Sequence, residues 1–312
     1  MRRGLIAWSK EEVPPSALDA RVRRVQQGIG AQGFDAFLAY TSFPRPAAVS
    51  WLTHFIPYWN EALVAVLPEG APLLLASFSK RMHPWIREVS HVGEILSAPD
   101  LGRAAAAFLE KRGLKRVGVV DLDHLPWSVA ETICIGAELV DASEFFAALR
   151  QPADRHEYAL AARAEQIAAR ALAAVPSRPR GASEILSAVE STARREGAEE
   201  IIPRISQIGD RGSVELSVAY KGVWIRLCNT YPSAVDAETW FKAALQGDVL
   251  PPPGKLIRRT VESCIGSSPL SVVEDQDRVY HRLPAGAQAV LSVRLELKDG
   301  PWHAAAPFLV RA

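Results

Sequence analysis

Apolar residues recur at helical spacing in several stretches of the chain. Between Ser16 and Gln32, the residues Leu18, Val22, Val25 and Ile29 fall on one face, and Gly33 follows as a stop signal. In the second half, Asp154 is placed to cap a long amphipathic helix. The same kind of pattern predicts further helices over residues 100–112, 129–136, 183–197, 237–247 and 255–266, with Ser183 as a cap and Gly197 as an end.

Short apolar runs between these helices predict strands. Residues 61–77 read as a hairpin of two apolar strands around Pro68-Glu69-Gly70. Strands alternate with helices up to Arg150, which predicts an α/β domain there. Other predicted strands are residues 34–40, 116–121, 201–209, 287–297 and 306–312.

The most informative stretch, residues 214–230, predicts a tight β-hairpin. Two β-rich runs flank Lys221-Gly222, and a two-residue loop ending in Gly is typical of a type I′ turn. Such a turn places Tyr220 opposite Val223, and hence Ser217 opposite Arg226 and Glu215 opposite Cys228. Glu215 and Arg226 then become diagonal neighbours that can form an ion pair.

Because side chains alternate, one face of this hairpin is almost wholly apolar and the other is polar. The polar face carries Glu215, Ser217, Trp224, Arg226 and Cys228. Two interpretations stay open, since antiparallel sheets often have one wet face. The polar face either meets water or lines a pocket.

Composition excludes several classes of protein. With 312 residues, two domains are expected, and we place them at residues 1–150 and 151–312. A formal net charge of +1 gives no support for nucleic-acid binding, and no apolar stretch predicts a signal peptide or membrane span. The three cysteines form no disulfide framework, which favours a cytoplasmic setting.

Local motifs carry a resemblance to a known family. The order GFDAFLAY, VSWLTHF, ALVAVLPEGAP and RVGVVD resembles the amino-terminal domain of the creatinase, prolidase and aminopeptidase P family over about residues 16–150. The strand pair VELSVAYKGVWIRLCNT, with LPAGAQAVLSVRLEL and GPWHAAAPFLVRA, resembles that family's pita-bread domain, here shortened. The resemblance implies an α/β domain followed by an α+β domain of αα-ββ repeats, and a homodimer.

The family's metalloenzymes hold two divalent ions with two Asp, one His and two Glu, and this chain departs from that pattern. By the resemblance, the ligand positions fall on Glu215, on Arg226, on Ser263 or Cys264, on Arg294, and on Ala305 or Ala306. A guanidinium cannot coordinate a cation and repels it. We therefore expect neither a metal nor another cofactor.

The pocket that this hairpin would form has a set of candidate residues. Candidate catalytic residues are Glu215, Cys228, whose thiol an adjacent cation could activate, and the loop residue His281. Candidate ligand-binding residues are Arg226, Trp224, Arg294, Glu296, Ser217, His54 and Tyr58, the last two from a region that would form a rim in relatives.

Two functions remain open from the sequence. In one, the pocket binds a small zwitterionic or peptide ligand and hydrolyses or cleaves a C–N bond without metal, with Arg226 and Arg294 holding a carboxylate and Glu215 a cation or a proton. In the other, the protein is a catalytically inactive relative of the peptidases that binds a peptide or protein partner. Whether it is an enzyme stays undecided at this level.

Overall fold

The computed structural model describes residues 8–42, 47–57, 60–176, 181–208, 211–264, 271–280 and 282–311. The chain divides into two compact units, one up to Arg150 and one from Gln151 onward. No helix within the described ranges combines the length and apolar character that a membrane span requires.

The first unit is built on a six-stranded mixed sheet with the order β4-β3-β2-β1-β5-β6. Its strands are β1 (Ala36–Thr41), β2 (Ala62–Val66), β3 (Leu73–Ala76), β4 (Glu94–Ser97), β5 (Arg116–Val120) and β6 (Glu138–Asp141). Its helices are α1 (Pro15–Ala31), α2 (Ala47–Thr53), α3 (His83–Val89), α4 (Leu101–Lys111), α5 (Trp127–Cys134) and α6 (Ser143–Leu149).

Both faces of this sheet are buried, which explains the nearly continuous apolar runs of its central strands. In β1, Phe37 and Ala39 pack into one apolar cluster. The alternating residues Ala36 and Leu38 pack into a second cluster with residues of α4 and α5. The α/β architecture predicted for this part of the chain is confirmed.

The second unit is built on an eight-stranded sheet with the order β12-β11-β10-β13-β14-β9-β8-β7. Its strands are β7 (Glu200–Ile208), β8 (Arg211–Tyr220), β9 (Val223–Tyr231), β10 (Lys255–Ser263), β11 (Ser271–Asp275), β12 (Arg278–Val279), β13 (Gln288–Leu297) and β14 (Gly300–Leu309). Its helices are α7 (Arg155–Ala173), α8 (Ala182–Arg195) and α9 (Val235–Leu245).

Helix α7 begins as predicted. The side chain of Asp154 accepts hydrogen bonds from the backbone N–H groups of His156 and Glu157, and the Glu157 side chain completes a capping box. Helix α8 differs at its start, because Gly181, not Ser183, occupies the N-cap position.

One predicted helix, over residues 255–266, is wrong. Residues 255–263 form strand β10, which pairs with β13 and β11. The β-branched residues Ile257, Thr260 and Val261 favour a strand, and Thr260 and Glu262 alternate with Val261 as a strand requires. Among the described residues that follow β9, the second unit therefore has a single helix, α9, where the repeat pattern predicted two.

The hairpin of β8 and β9 has the predicted register. Tyr220 pairs with Val223, Ser217 with Arg226 and Glu215 with Cys228. Lys221 and Gly222 have φ angles of 50° and 78°, as a type I′ turn requires.

The two faces of the eight-stranded sheet differ in polarity. Val214, Leu216 and Val218 pack with residues of α7 and α8, and Leu291, Val293 and Trp302 pack with residues of α9. The alternating residues of the same strands point the other way and form the polar face. The candidate site lies on that face.

Candidate functional site

A row of directly paired residues crosses the polar face of the sheet. Arg204 pairs with Glu215, Glu215 with Cys228, Cys228 with Ala305, and Ala305 with Ser292. Seven strands contribute to the pocket on this face, called here the Glu–Arg pocket. It is lined by Arg204, Glu215, Arg226, Arg258, Thr260, Glu262, Val272, Ser292, Arg294 and His303.

The guanidinium of Arg226 lies between two buried carboxylates. Its Nε is 3.5 Å from Oε1 of Glu215, and its Nη1 is 2.5 Å from Oε2 of Glu262. The Nε also donates a hydrogen bond of 3.0 Å to the hydroxyl of Ser217. The side chains of Glu215, Arg226 and Glu262 are 8%, 15% and 6% exposed. The predicted Glu215–Arg226 ion pair is confirmed, and Glu262 makes it a triad.

Burial raises the pKa of the Glu262 carboxyl, and the charge of Arg226 opposes that rise. Because Arg226 lies between two carboxylates, much of its positive charge is already compensated within the pocket. Arg226 therefore serves as the cation that holds this triad together, and its predicted contact with a ligand carboxylate stays a prediction.

The other arginines of the Glu–Arg pocket are less enclosed. Nη1 of Arg204 is 3.4 Å from Glu215, and Nη2 of Arg258 is 3.0 Å from Asp275. Arg294 is exposed and makes no hydrogen bond or ion pair with any residue in the described part of the chain. Arg294 is therefore the guanidinium of this pocket that is available to an anion.

His303 stands opposite Arg294 on β14 and is half-buried. The hydroxyl of Thr230 lies 2.8 Å from the backbone nitrogen of His303 and 2.7 Å from its carbonyl oxygen, which fixes this part of the strand. The ring Nε2 of His303 is 3.6 Å from Oε2 of Glu215. Burial lowers the pKa of His303 to about 4, and Arg294 and Arg226 add to the effect while Glu215 opposes it. The imidazole is therefore neutral at pH 7.

Three other predicted residues on this sheet have different surroundings. Ser217 is buried and supports Arg226. Trp224 is half-buried, pairs with Ala219 nearer the turn, and does not line the Glu–Arg pocket. Glu296 is exposed and lines an adjoining cavity that also contains Arg294.

Cys228 does not have the surroundings of a nucleophile. Its side chain belongs to an apolar cluster with Ala164, Val290 and Ala305. Burial, followed by the charge of Glu215, raises the pKa of its thiol far above the ordinary value, and the nearby arginines do not offset this. We therefore do not retain Cys228 among the candidate catalytic residues.

The remaining candidates lie elsewhere in the chain. His54 is buried within the first unit, where its ring stacks on Trp8 with 6.3 Å between centroids. A residue at the rim of a pocket would be accessible to a ligand. The burial of His54 within its own unit therefore does not support the predicted ligand contact. Tyr58 and His281 lie outside the residues that the structure describes.

Sequence reasoning missed Glu262, and it passed over His303 in favour of His281. A strand pattern over residues 255–263 would have placed Glu262 on the same face as Thr260. His303 alternates in the same way with Ala305, a position that the resemblance had already mapped to the pocket. The signal for both residues was strand alternation.

The donor set of this pocket does not fit a pair of divalent ions. Such ions need several anionic oxygen ligands free to coordinate them, and here Arg226 already engages Glu215 and Glu262. Of the other mapped positions, Arg294 and Ala305 or Ala306 supply no ligand, and Cys264, beside Ser263, belongs to a buried apolar cluster. In the ranges that the structure describes, no group of three His, Cys, Asp or Glu side chains is arranged to hold a metal.

Comparison with known proteins identifies the first unit. Residues 21–151 match the model of the Creatinase/Prolidase N-terminal domain. The chain carries a creatinase/prolidase N-terminal domain. No curated protein sequence matches the chain.

Solved structures extend the similarity to the whole chain. An X-Pro aminopeptidase from Thermotoga maritima superposes with a TM-score of 0.72 at 16% identity, covering 93% of this chain and 94% of that one. An Xaa-Pro dipeptidase from Bacillus anthracis gives 0.70 at 16%, covering 93% of each chain. A prolidase from Pyrococcus furiosus gives 0.67 at 13%, covering 92% and 96%. The chain therefore has the Xaa-Pro peptidase-like fold, with a pita-bread-like second unit.

Proposed function

We propose that the second unit binds a small zwitterionic or peptide ligand through its carboxylate, in a pocket that works without metal. The observation that carries this proposal is Arg294, an exposed guanidinium without a partner among the described residues, on the wall of the Glu–Arg pocket. A guanidinium matches a carboxylate with two parallel hydrogen bonds.

The charges of the pocket support an anionic group. Its lining contains four arginines and two glutamates, and His303 is neutral at pH 7. Arg226 and Arg204 already compensate the charge of Glu215, so Glu215 attracts a ligand cation only weakly. The carboxylate of the ligand, rather than its amino group, is the part that this pocket recognises.

The test compares a proline-containing dipeptide with its C-terminal amide by titration calorimetry. We expect the free acid to bind at least about tenfold more tightly than the amide, because the amide lacks the charge that Arg294 recognises. Arg294→Gln should remove that difference. Arg195→Gln, at an exposed position of α8, is the control and should change nothing. Equal binding of acid and amide would overturn the proposal.

A second candidate function is metal-independent hydrolysis or cleavage of a C–N bond. The observation that favours it is the neutral imidazole of His303 beside Glu215, which would let the ring accept a proton from water while the carboxylate stabilises the resulting charge. The low pKa of His303 makes it a weak base, which favours binding over catalysis. Product analysis by mass spectrometry in the presence of chelator, with His303→Asn as comparison, decides between them.

We also propose a homodimer and a cytoplasmic setting. The dimer is supported by the family resemblance alone, and light scattering at micromolar concentration should show twice the chain mass. The setting is supported by Cys134, Cys228 and Cys264, which are all free thiols.

A further inference from the structure

A second cavity adjoins the Glu–Arg pocket and shares two of its residues, Arg294 and His303. It is called here the Arg211 cavity and is lined by Ser206, Arg211, Gly212, Ser213, Ile257, Arg294, Leu295, Glu296, Pro301, Trp302 and His303. Because Arg294 and His303 line both spaces, a ligand held at Arg294 lies at the entrance to the second cavity.

Arg211 is a buried cation with one side-chain nitrogen, Nη1, that has no acceptor among the described residues. The residue is 9% exposed. Its Nε donates a hydrogen bond of 3.0 Å to the backbone oxygen of Asp299, and its Nη2 is 3.6 Å from Oδ2 of the same residue. Its Nη1 is buried and makes no hydrogen bond to any residue that the structure describes. Leaving such a donor unsatisfied costs free energy, which a bound acceptor would recover.

The existing partner of Arg211 compensates its charge only weakly. The Asp299 side chain is 84% exposed, so water screens its attraction for the guanidinium. Asp299 does not line the cavity, and the one carboxylate among its described lining residues is that of Glu296, which is exposed. Two arginines, Arg211 and Arg294, thus line a cavity that has one acidic residue, the exposed Glu296, among its described lining residues.

The walls around Arg211 are regular strands and not loops. Ser206 of β7 pairs with Ser213 of β8, and Ser213 pairs with Thr230, the residue that fixes the backbone of His303. The two serine hydroxyls can donate further hydrogen bonds to an anion. A site built on paired strands holds its donors in place before a ligand arrives.

We propose that the Arg211 cavity binds a second acidic group of the ligand, so that the substrate class is a dicarboxylate, such as a peptide with an acidic residue. One carboxylate contacts Arg294 and the other contacts Arg211, after a small rotation that turns Nη1 towards the cavity. The inference rests on the proposed function for the first carboxylate, and on the Arg211 geometry for the second.

The experiment measures the affinity of butyrate, glutarate and adipate for the native protein by calorimetry. We expect one of the dicarboxylates to bind at least about tenfold more tightly than butyrate, since it makes a second charge-assisted contact. Arg211→Gln should remove that advantage and leave butyrate binding within about twofold of native, because Arg294 is intact.

A second variant tests the same contact without altering a buried residue. Asp299→Asn removes the exposed carboxylate that competes for Arg211 and keeps the backbone acceptor, so dicarboxylate binding should tighten severalfold while butyrate binding stays constant. Asp277→Asn, an exposed position between β11 and β12, is the matched control and should alter neither. If Arg211→Gln does not fold, Asp299→Asn decides the question.

The outcomes separate the two proposals. Native protein that binds butyrate but gains nothing from a second carboxylate overturns the dicarboxylate inference alone. The same conclusion follows if Asp299→Asn affects butyrate and glutarate equally. If neither acid binds, or if Arg294→Gln leaves butyrate binding unchanged, the proposed function fails as well.

Discussion

Arg226 contacts two carboxylates on different strands, Glu215 of β8 and Glu262 of β10. Each of these groups loses water when buried, and only their mutual attraction offsets that cost. Removing the cation leaves two negative charges together in a poorly solvated pocket. The triad is therefore more sensitive to loss of its centre than to replacement of the whole group by uncharged residues.

We expect Arg226→Met to destabilise the second unit by about 3–5 kcal/mol, the range for breaking a buried ion pair. Adding Glu262→Gln should restore part of the loss, and a double-mutant cycle by denaturant melting measures this coupling. The control is Arg258→Met, because the Arg258–Asp275 pair is 51% and 28% exposed and should cost about 0–1 kcal/mol. Additive effects of the two pocket substitutions would contradict the triad.

His303 should make the stability of the protein depend on pH. Its pKa is about 4 in the folded chain, against about 6.5 for an ordinary His, so the unfolded chain binds more protons between these values. The contribution of His303 to the unfolding free energy is fully present above about pH 6.5. It falls as the pH drops towards 4, by at most about 1.4 kcal/mol per pH unit.

The measurement is the difference in unfolding free energy between the native protein and His303→Asn, from pH 7.5 to 4.5. We expect the stability advantage of the native protein to shrink as the pH falls, because the charged imidazole meets burial and the cations Arg226 and Arg294. Glu262 titrates with the opposite sign but is present in both proteins, so it cancels. A difference that is constant over this range would contradict the buried neutral imidazole.

At the level of single residues, the sequence predicts the face of the sheet on which a side chain lies better than it predicts the residues that contact that side chain. Alternation places Glu215 and Cys228 on one face, and both do lie there. Only the fold shows that Cys228 meets Ala164 and Val290, so that its thiol is shielded while Glu215 meets cations. Distant segments create these environments, and no local pattern encodes them.

Among the elements, the hairpin of β8 and β9 controls the geometry of the pocket. A slip of one residue would move Glu215 and Arg226 to the helix-covered face. The turn fixes the register, since Lys221 and Gly222 both adopt positive φ angles and the N–H of Gly222 donates to Oε2 of Glu199. Turn and pocket are therefore linked through strand pairing.

Gly222→Ala should destabilise the second unit by about 1–2 kcal/mol, because a Cβ atom is strained at φ 78°. Gly222→Asn is the matched comparison, since Asn tolerates the left-handed region, and it should cost clearly less. Thermal unfolding followed by circular dichroism measures both. Equal costs for Ala and Asn would mean that backbone strain at the turn does not determine its stability.

Elements with a strong local signal were predictable, and those whose signals conflict were not. The capping box of α7 and the two-residue turn of the hairpin are encoded within a few residues. Residues 255–263 mix apolar and basic residues. That composition suits an amphipathic helix, whereas the alternation of side chains suits a strand. Pairing with β13 and β11 stabilises the strand, and a pattern within residues 255–263 does not reveal these partner strands.

At the scale of the whole molecule, the chain has a fold shared with Xaa-Pro peptidases. The superposition covers 93% of the chain at 16% identity, so backbone architecture persists where most side chains differ. Of the positions that the resemblance maps to metal ligands, Glu215 keeps a carboxylate, and the others hold arginine, alanine, and serine or cysteine. A protein cation, Arg226, neutralises the carboxylates that remain.

The last prediction follows from the position of Arg226 between Glu215 and Glu262. Protein purified without chelator should contain well below one divalent ion per chain by elemental analysis, and Mn²⁺ should not raise its melting temperature, because Arg226 already occupies the carboxylates of Glu215 and Glu262. Arg226→Asp removes the cation and adds a third carboxylate. This variant should be destabilised without metal and restored by Mn²⁺, while Arg226→Met should not be restored. One tightly bound ion per native chain, retained on dialysis, would show that the pocket accommodates metal despite Arg226.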